Sequence, residues 1–408
     1  MSNELLDSFE DISAWSAIAS GQARLDISQE PGPHGNALRL DFDFHGGGGF
    51  VVARKLFTLA LPESYSFRFY IRGIAPSNIF EFKLVDALNQ NVWRYRKEVF
   101  DFPADWQLVE IKSNQIEFAW GPLGGGPARE IAAIELVVAA GPGGRGTVWI
   151  EDLRFEDTTY RLMPQVQASS ARPGYEPRHI FDPSTGTGWR SDSAAAQWLL
   201  IDFQQERDYG GLVIHWEKEL RPRAFAVQIA NDGAQWQTVY STRRAGSERN
   251  YIYLPQTVSR YLRLDLQQSL EGRGFGIVGI EIRPYDFSRS INAYFQAIAR
   301  EQPPGFYPKY LLGRQTYWTP VGTGEDVTQA LFNQEGLVEV DKGTFSIEPF
   351  LYVDGRLITW ADVTLKQELE EGYLPIPSAE WRSKDLVLRT TAFATGGAGA
   401  SVLYLRYR

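Results

Sequence analysis

Short runs of alternating apolar and polar residues occupy the first 157 positions of the chain. They lie at residues 37–42, 65–71, 80–84 and 147–155, and turns rich in glycine separate them. Side chains two apart on a strand point to the same face, so this alternation predicts strands with one buried face. The pattern indicates a β-sandwich over residues 1–157.

Strand-like runs resume after a short linker and extend from Trp198 to Ile282. After Asp286 the apolar residues fall at helical spacing, with Ser290 in the N-cap position. The chain then returns to strand-like runs. We therefore predict an all-β fold of tandem β-sandwich modules with one short connecting helix, and the family resemblances described below imply modules of jelly-roll and galactose-binding-like type. The predicted modules are residues 1–157, 165–285 and 305–408, and the predicted helix is 287–304.

Composition narrows the classes of partner. The chain has 408 residues, of which 41 are basic and 50 acidic, so the formal net charge of −9 argues against nucleic acid as a partner. Aromatic residues reach 13% and include 12 Trp, which suits sugar-stacking surfaces. No apolar run is long enough to span a membrane, and no signal peptide is recognised. An extracellular and a cytoplasmic location both stay open.

A series of motifs lies in the middle segment. They are Ala168-Ser169-Ser170, Asp182 followed by Thr187-Gly188-Trp189, Trp198 to Phe203, Asp232-Gly233 followed by Trp236, and Arg260-Tyr261-Leu262-Arg263-Leu264. Through them, residues 165–285 resemble a coagulation factor 5/8 type C (discoidin) domain. The resemblance implies that Trp189, Trp198 and Trp236 fill the core of a small barrel.

The same resemblance places the ligand loops at one end of the barrel. Those positions combine aromatic rings with guanidinium groups, the pair of functions that sugar recognition needs. The implied carbohydrate-binding residues are Tyr175, His179, Arg190, Trp216, Arg221, Arg273 and Phe275. For Trp216 and Arg221 the alternative is a packing or salt-bridge role.

Carbohydrate-binding relatives of this domain hold a structural calcium, and the resemblance assigns Asp182, Thr187 and Glu281 as its ligands here. A turn-capping role for Asp182 is the alternative. The first module resembles jelly-roll carbohydrate-binding modules, and this resemblance implies a calcium bound by Glu10 and Asp152, with a hydrogen-bonded pairing of the chain ends as the alternative.

The first module resembles the jelly-roll carbohydrate-binding modules that accompany glycosidases, through residues 7–11 at its start and residues 148–155 at its end. Side chains two apart share a face of a strand, so we expect paired residues to line a sugar groove. The candidates are Glu81, Lys83, Trp93, Tyr95 and Trp120, and burial of the rings in the core is the alternative.

The third segment resembles the start of the β-sandwich that precedes an (α/α)-barrel in some glycosidases, through residues 317–322 and 360–362. Residues 401–408 alternate like a strand without a closing turn, so we expect an incomplete module and a catalytic domain in a longer natural chain. We predict non-catalytic binding of oligo- or polysaccharide that targets an associated glycosidase. The alternatives are a glycoside hydrolase with its site in or beyond the third module, using carboxylates such as Glu348, Asp354, Asp362 and Glu368, and a protein- or lipid-binding adhesion module.

Overall fold

Antiparallel strands make up nearly all of the regular structure, as the alternating pattern predicts. The computed structural model describes residues 3–182, 188–193, 195–384 and 386–408. Within the described residues there is one α-helix, α1 (Ile291–Arg300), and no helix is long and apolar enough to cross a membrane. The all-β fold class with one short helix is confirmed. The chain divides into two compact units, residues 1–163 and 164–408.

The first unit contains two six-stranded sheets. Its strands are β1 (Asn3–Asp7), β2 (Trp15–Ala19), β3 (Arg24–Pro31), β4 (Asn36–Asp43), β5 (Phe50–Ala60), β6 (Tyr65–Ile74), β7 (Asn78–Val85), β8 (Val92–Phe100), β9 (Gln107–Lys112), β10 (Glu117–Trp120), β11 (Glu130–Ala139) and β12 (Arg145–Asp157). One sheet has the order β3-β4-β12-β6-β9, with β1 also pairing with β12, and the other has the order β10-β8-β7-β11-β5-β2.

Alternate residues of both sheets form the core of this unit. Phe67, Phe69 and Ile71 of β6 are fully buried, and Phe69 stacks on Phe82 of β7 with ring centroids 5.9 Å apart. The residues between them face away from the core, as the period of two requires. The sandwich therefore presents an outer face on each sheet.

The second unit begins with a seven-stranded sheet. Its strands are β13 (Gln165–Ala168), β14 (Trp189–Arg190), β15 (Gln197–Trp216), β16 (Pro222–Ala230), β17 (Gln237–Thr242), β18 (Arg249–Ser269) and β19 (Gly276–Arg283), and a 3-10 helix spans Pro177–Phe181. The order is β14-β19-β15-β18-β16-β17, and β13 pairs with β15. Trp189 is fully buried, as expected.

The other two expected core tryptophans lie at the surface of this sheet. Trp198 is 38% exposed because it occupies an outward position of β15, opposite Asp265, whereas the next residue, Leu199, points inward and is fully buried. Trp236 is half-buried, and the guanidinium of Arg263 lies 4.1 Å from its ring centroid. The expectation of core positions for these two residues is wrong.

Hydrogen bonds connect the C-terminal end of helix α1 to the same sheet. Ser290 caps it, with its Oγ accepting a 3.0 Å hydrogen bond from the backbone N–H of Ala293. At the other end, the Glu301 carboxylate accepts hydrogen bonds from Tyr251 (2.9 Å) and Arg249 (3.2 Å) of β18. The helix thus joins the β19 end of the sheet to the segment that follows.

The third segment contains three small sheets. Its strands are β20 (Trp318–Val321), β21 (Ala330–Asn333), β22 (Val338–Glu339), β23 (Ser346–Ile347), β24 (Leu351–Val353), β25 (Arg356–Ile358), β26 (Thr364–Glu370), β27 (Leu374–Ser383), β28 (Leu386–Thr395) and β29 (Val402–Tyr407). The orders are β20-β21-β22-β23, β24-β25 and β26-β27-β28-β29. Two apolar clusters, one around Phe332 and one around Trp381, hold them.

A glutamate of the third segment has an altered acidity. Burial, and then the charge of neighbouring Glu335, raises the pKa of Glu348 from 4.5 to about 7. Glu335 is itself buried and accepts a 3.0 Å hydrogen bond from Lys309 Nζ. Between pH 4.5 and 7 the folded chain retains a proton on Glu348 that the unfolded chain has released, so the folded state loses stability as the pH rises through this window.

We expect Glu348→Gln to remove most of that loss. The pKa difference corresponds to roughly 3 kcal/mol, so the variant should be more stable than the parent by up to about this amount at pH 8 and similar to it at pH 4.5. Thermal unfolding of the full chain across this range measures it. Glu370→Gln, at an exposed site on β26, is the matched control, and equal pH slopes for all three proteins would refute the assignment.

A glycine in the predicted Thr187-Gly188-Trp189 motif has a steric role. A Cβ added at Gly188 would lie 1.8 Å from the carbonyl oxygen of Ile277 on β19. We expect Gly188→Ala to destabilise the second unit by about 1–3 kcal/mol because the backbone has to move. Gly246→Ala is the control, since its added Cβ meets no atom within 4 Å. Similar melting temperatures for the two variants would contradict this explanation.

Candidate functional site

The outer face of sheet β10-β8-β7-β11-β5-β2 carries rows of side chains that run across the strands. We call it the ion-pair face. One row follows the register Glu117–Arg94–Lys83–Glu135–Arg54 from β10 to β5. Directly paired residues of antiparallel strands share a face and lie within reach of each other. The next rows along the strands are Arg96, Glu81, Val137, Val52 and Ile18 on one side, and Trp120, Val92, Val85, Ala133 and Leu56 on the other.

Glu81 lies at the centre of this face and is only 3% exposed. Its carboxylate contacts Arg96 Nη1 at 2.6 Å, Arg94 Nη1 at 2.8 Å and Lys83 Nζ at 3.0 Å. Burial alone would raise the pKa of Glu81, but the hydrogen bonds and charges of these cations hold it below its ordinary value. Glu81 therefore stays ionised and fixes three basic side chains.

Two exposed aromatic rings flank the same lysine. The Lys83 ammonium lies 5.2 Å from the ring centroid of Trp120 and 5.7 Å from that of Phe50. Trp120 is 48% exposed and Phe50 is 42% exposed, whereas Val137 between them is fully buried. The face thus combines exposed apolar ring surface with fixed N–H donors.

The register separates the predicted groove residues into two groups. Glu81, Lys83 and Trp120 lie on the ion-pair face, but Trp93 pairs with Leu84 and Tyr95 with Phe82, so both rings point into the core. Trp93 is buried and donates a 2.7 Å hydrogen bond to the carbonyl of Gly126, and burial raises the pKa of Tyr95. Trp93 therefore provides no ligand surface, which corrects the prediction for it, whereas Tyr95 is half-buried against the core and its role as a ligand residue stays a prediction.

The other sheet presents a different outer surface. An open cleft of about 550 Å³ is lined by Arg24, Asp26, Asp41, Phe42, Asp43, His45, Ile74, Arg145, Gly146 and Thr147. Its one phenyl ring, that of Phe42, belongs to the core and is buried. The cleft thus offers charges and the exposed imidazole of His45 but no exposed phenyl or indole ring, and the ion-pair face suits a sugar better.

A second cluster occupies one end of the middle module. The Arg190 guanidinium lies 3.9 Å from the ring centroid of Tyr175, and its Nε donates a 2.6 Å hydrogen bond to Glu217. Arg172 donates to the carbonyl of Arg273, whose side chain forms an exposed 2.8 Å ion pair with Glu219. The structure therefore brings Tyr175 and Arg190 into contact. Arg172 links them to Arg273, because its backbone N–H donates to the carbonyl of Arg190 and its side chain donates to the carbonyl of Arg273.

Four further candidates of this module have structural partners. Phe275 is fully buried, and Trp216 is 3% exposed, donates to Asn250 at 2.7 Å and packs on Phe225. These two belong to the core, which corrects their prediction as ligand residues. Arg221 donates a 2.6 Å hydrogen bond to the carbonyl of Gly246, and His179 lies 3.4 Å from Glu176.

The expected calcium ligands of the first module serve separate local interactions. Glu10 accepts hydrogen bonds from the backbone N–H (3.1 Å) and side-chain amide (2.7 Å) of Asn36. Asp152, at a φ of 54°, pairs with Arg154 Nε at 2.8 Å. These contacts engage each carboxylate locally, and calcium binding by the pair stays a prediction.

Two of the three calcium ligands expected in the middle module, Asp182 and Glu281, lie within the described residues. The Glu281 carboxylate contacts His215 Nε2 at 2.7 Å and Arg283 at 2.9 Å, so two nitrogen groups already satisfy it. Asp182 follows the 3-10 helix, and Thr187 lies outside the described residues. In the described ranges no group of three or more His, Asp or Glu side chains is placed to hold a metal. Calcium binding stays a prediction.

The carboxylates expected of a hydrolase in the third segment are dispersed. Asp362 accepts from the backbone and hydroxyl of Thr359, and Glu368 pairs with Lys366 and Arg389. Asp354 lies in the turn between β24 and β25 at a φ of 49°. Local structure accounts for these acids, and Glu348 is neighboured by Glu335 rather than by any of them.

The seven-stranded sheet and its buried Trp189 agree with one known family. Residues 165–279 match the F5/8 type C domain. The predicted discoidin resemblance of the middle segment is thereby confirmed. A search of curated proteins found no match for the chain.

Solved structures of carbohydrate-binding modules are similar to parts of the chain. Chitosan-binding module 1 of a chitosanase/glucanase from Paenibacillus sp. IK-5 is 22% identical and covers 31% of this chain and 98% of its own, with a TM-score of 0.29. Module 2 of the same enzyme, in complex with chitotriose, is 22% identical and covers 31% and 99%, with a TM-score of 0.28. The family 11 module of a cellulosomal cellulase from Clostridium thermocellum is 16% identical and covers 39% and 98%, with a TM-score of 0.32.

Sequence reasoning missed several residues of both clusters. Arg94 and Arg96 alternate with Trp93 and Tyr95, so they occupy the opposite face of β8 and share it with Lys83 and Glu81. The apolar alternation of Phe80, Phe82 and Leu84 was the available signal that the rings face inward. In the F5/8 type C module, Arg172, Glu217 and Glu219 were missed because loop contacts leave no periodic pattern.

We expect Glu81→Gln to destabilise the first unit by about 2 kcal/mol, since it leaves three basic groups close together without their anion. Denaturant unfolding of the full chain measures the effect. Glu98→Gln is the matched control, because Glu98 is 69% exposed and pairs with Arg96 alone among the basic side chains described above. An unchanged midpoint for Glu81→Gln would mean that the ion pairs do not order this face.

Proposed function

We propose that this chain binds oligo- or polysaccharide on the ion-pair face of its first unit. The observation that supports the proposal is the position of Lys83 between the exposed rings of Trp120 and Phe50, above the buried Glu81. A pyranose ring places its C–H face on an aromatic ring and its hydroxyls beside fixed donors. Both requirements are met within a few ångströms on this face.

Pre-arrangement is what makes these donors useful. Lys83, Arg94 and Arg96 are long side chains that would lose rotamer entropy on binding a ligand, and Glu81 already holds them in place. A ligand then meets donors that need little further ordering. Two exposed rings without this support would be a weaker argument for a sugar site.

The cluster of the F5/8 type C module supports a second contact with glycan. The Arg190 guanidinium lies 3.9 Å from the ring centroid of Tyr175. Arg172 donates a hydrogen bond to the carbonyl of Arg273, whose side chain is exposed in the same cluster. We propose that this end of the module contributes a separate, weaker contact, which would raise the overall affinity for a long polysaccharide. Targeting of an associated glycoside hydrolase is the role that the sequence predicts for such binding.

A glycan array with the full chain tests the proposal, followed by titration of the best ligand. We expect Trp120→Ala to weaken binding at least tenfold, since losing one stacked ring costs about 1.5 kcal/mol or more. Trp198→Ala is the matched control, because that tryptophan is similarly exposed but lies on the second unit. Equal affinities for both variants, with unchanged melting temperatures, would place the binding elsewhere.

A further inference from the structure

The rows of the ion-pair face around Lys83 carry equal numbers of opposite charges. Their basic residues are Arg54, Lys83, Arg94 and Arg96, and their acidic residues are Glu81, Glu98, Glu117 and Glu135, whereas Glu130 lies at the far end of β11. The chain as a whole has a net charge of −9, so this balance is local and is set by the register of neighbouring strands. A ligand on this face meets no net charge.

Each basic group on the face is also paired at short range. Lys83, Arg94 and Arg96 contact Glu81, and Arg54 Nη1 contacts Glu135 at 3.1 Å. Arg54 is further fixed by Asn89, which accepts a 2.8 Å hydrogen bond from Nη2. Partly buried pairs of this kind are less screened by salt than pairs in open water.

This pairing determines the affinity of the face for a charged sugar. A carboxylated sugar has to compete with Glu81 or Glu135 for cations they already hold, and it would lose its own hydration without gaining a free partner. An aminated sugar would meet the Lys83 ammonium between the two rings, which repels a second cation. An uncharged sugar incurs neither cost.

The groups that remain available suit hydroxyl oxygens. The Lys83 ammonium has three N–H donors, and Arg94 engages Glu81 through one of its guanidinium nitrogens. Hydroxyl groups accept from such donors without displacing the carboxylate. The exposed faces of Trp120 and Phe50 supply the apolar part of the contact.

We propose that the ion-pair face selects uncharged oligosaccharides and discriminates against carboxylated and aminated ones. This inference rests on the proposed function, since it names the class of glycan that the same face takes. Its physical basis is a surface whose cations are all engaged before the ligand arrives.

Glucans that share a β-1,4 backbone and differ in charge test the proposal. The full chain is titrated with hydroxyethyl cellulose, carboxymethyl cellulose and chitosan, and the uncharged and carboxylated pair of β-1,4-linked manno-oligosaccharides and mannuronate oligosaccharides is added as a second backbone. We expect an uncharged member to bind at least fivefold more tightly than its charged counterparts. We also expect less than a twofold change between 50 and 500 mM NaCl.

Trp120→Ala assigns each binding event to its surface. If a charged polymer binds as tightly as its uncharged counterpart and this binding is lost in Trp120→Ala, the inference is overturned while the proposed function stands. If Trp120→Ala leaves all binding intact, or if no polysaccharide binds, the proposed function fails and the inference fails with it.

A gain of binding provides an independent check. Glu135→Gln leaves Arg54 without its carboxylate partner, and we expect it to bind carboxymethyl cellulose at least threefold more tightly than the parent chain, with a stronger salt dependence. Glu370→Gln, which removes the same charge at an exposed site on β26 of the second unit, is the control, and melting temperatures establish that both variants are folded. A Glu135→Gln variant that binds carboxymethyl cellulose no more tightly than Glu370→Gln does would overturn the role of charge pairing.

Discussion

The register between β7 and β8 decides what the first unit presents to its surroundings. Lys83 opposite Arg94 and Glu81 opposite Arg96 place one acidic and three basic side chains on the outside, and Leu84 opposite Trp93 places a ring in the core. A shift of one residue would exchange these sets, burying charges and exposing aromatic side chains. The core of the sandwich and the ion-pair face therefore depend on the same pairing.

Glu81 gives this face its order. A carboxylate that is nearly inaccessible to water is costly unless cations and hydrogen bonds surround it, and here three basic side chains do so. The same contacts hold those side chains still beside Trp120 and Phe50. The buried carboxylate of Glu81 therefore has two effects. It contributes to the stability of the first unit, and it orders the side chains to which we propose that a ligand binds.

The second unit uses charge for a different purpose. Arg283 pairs with both Glu281 and Glu301, and Glu301 also accepts from Arg249 and Tyr251, so helix α1 is fixed across the sheet of the F5/8 type C module. Glu281, which the family resemblance assigned to calcium, takes part in this network. A carboxylate at a family position can acquire another partner when neighbouring residues supply a cation.

The sequence by itself determined the strand content, the helix behind Ser290 and the F5/8 type C module, because alternation, capping residues and motif spacing are local properties of the chain. It also indicated Glu81, Lys83 and Trp120 as residues that could serve a site. Only the tertiary structure decided that Arg94, Arg96 and Phe50 share their face. It also decided that Trp93, Trp216 and Phe275 are core residues and that Trp198 is not. Those outcomes depend on which strands pair and in which register they pair. The paired residues are far apart in the chain, so the packing of the whole unit sets their pairing and no local pattern does.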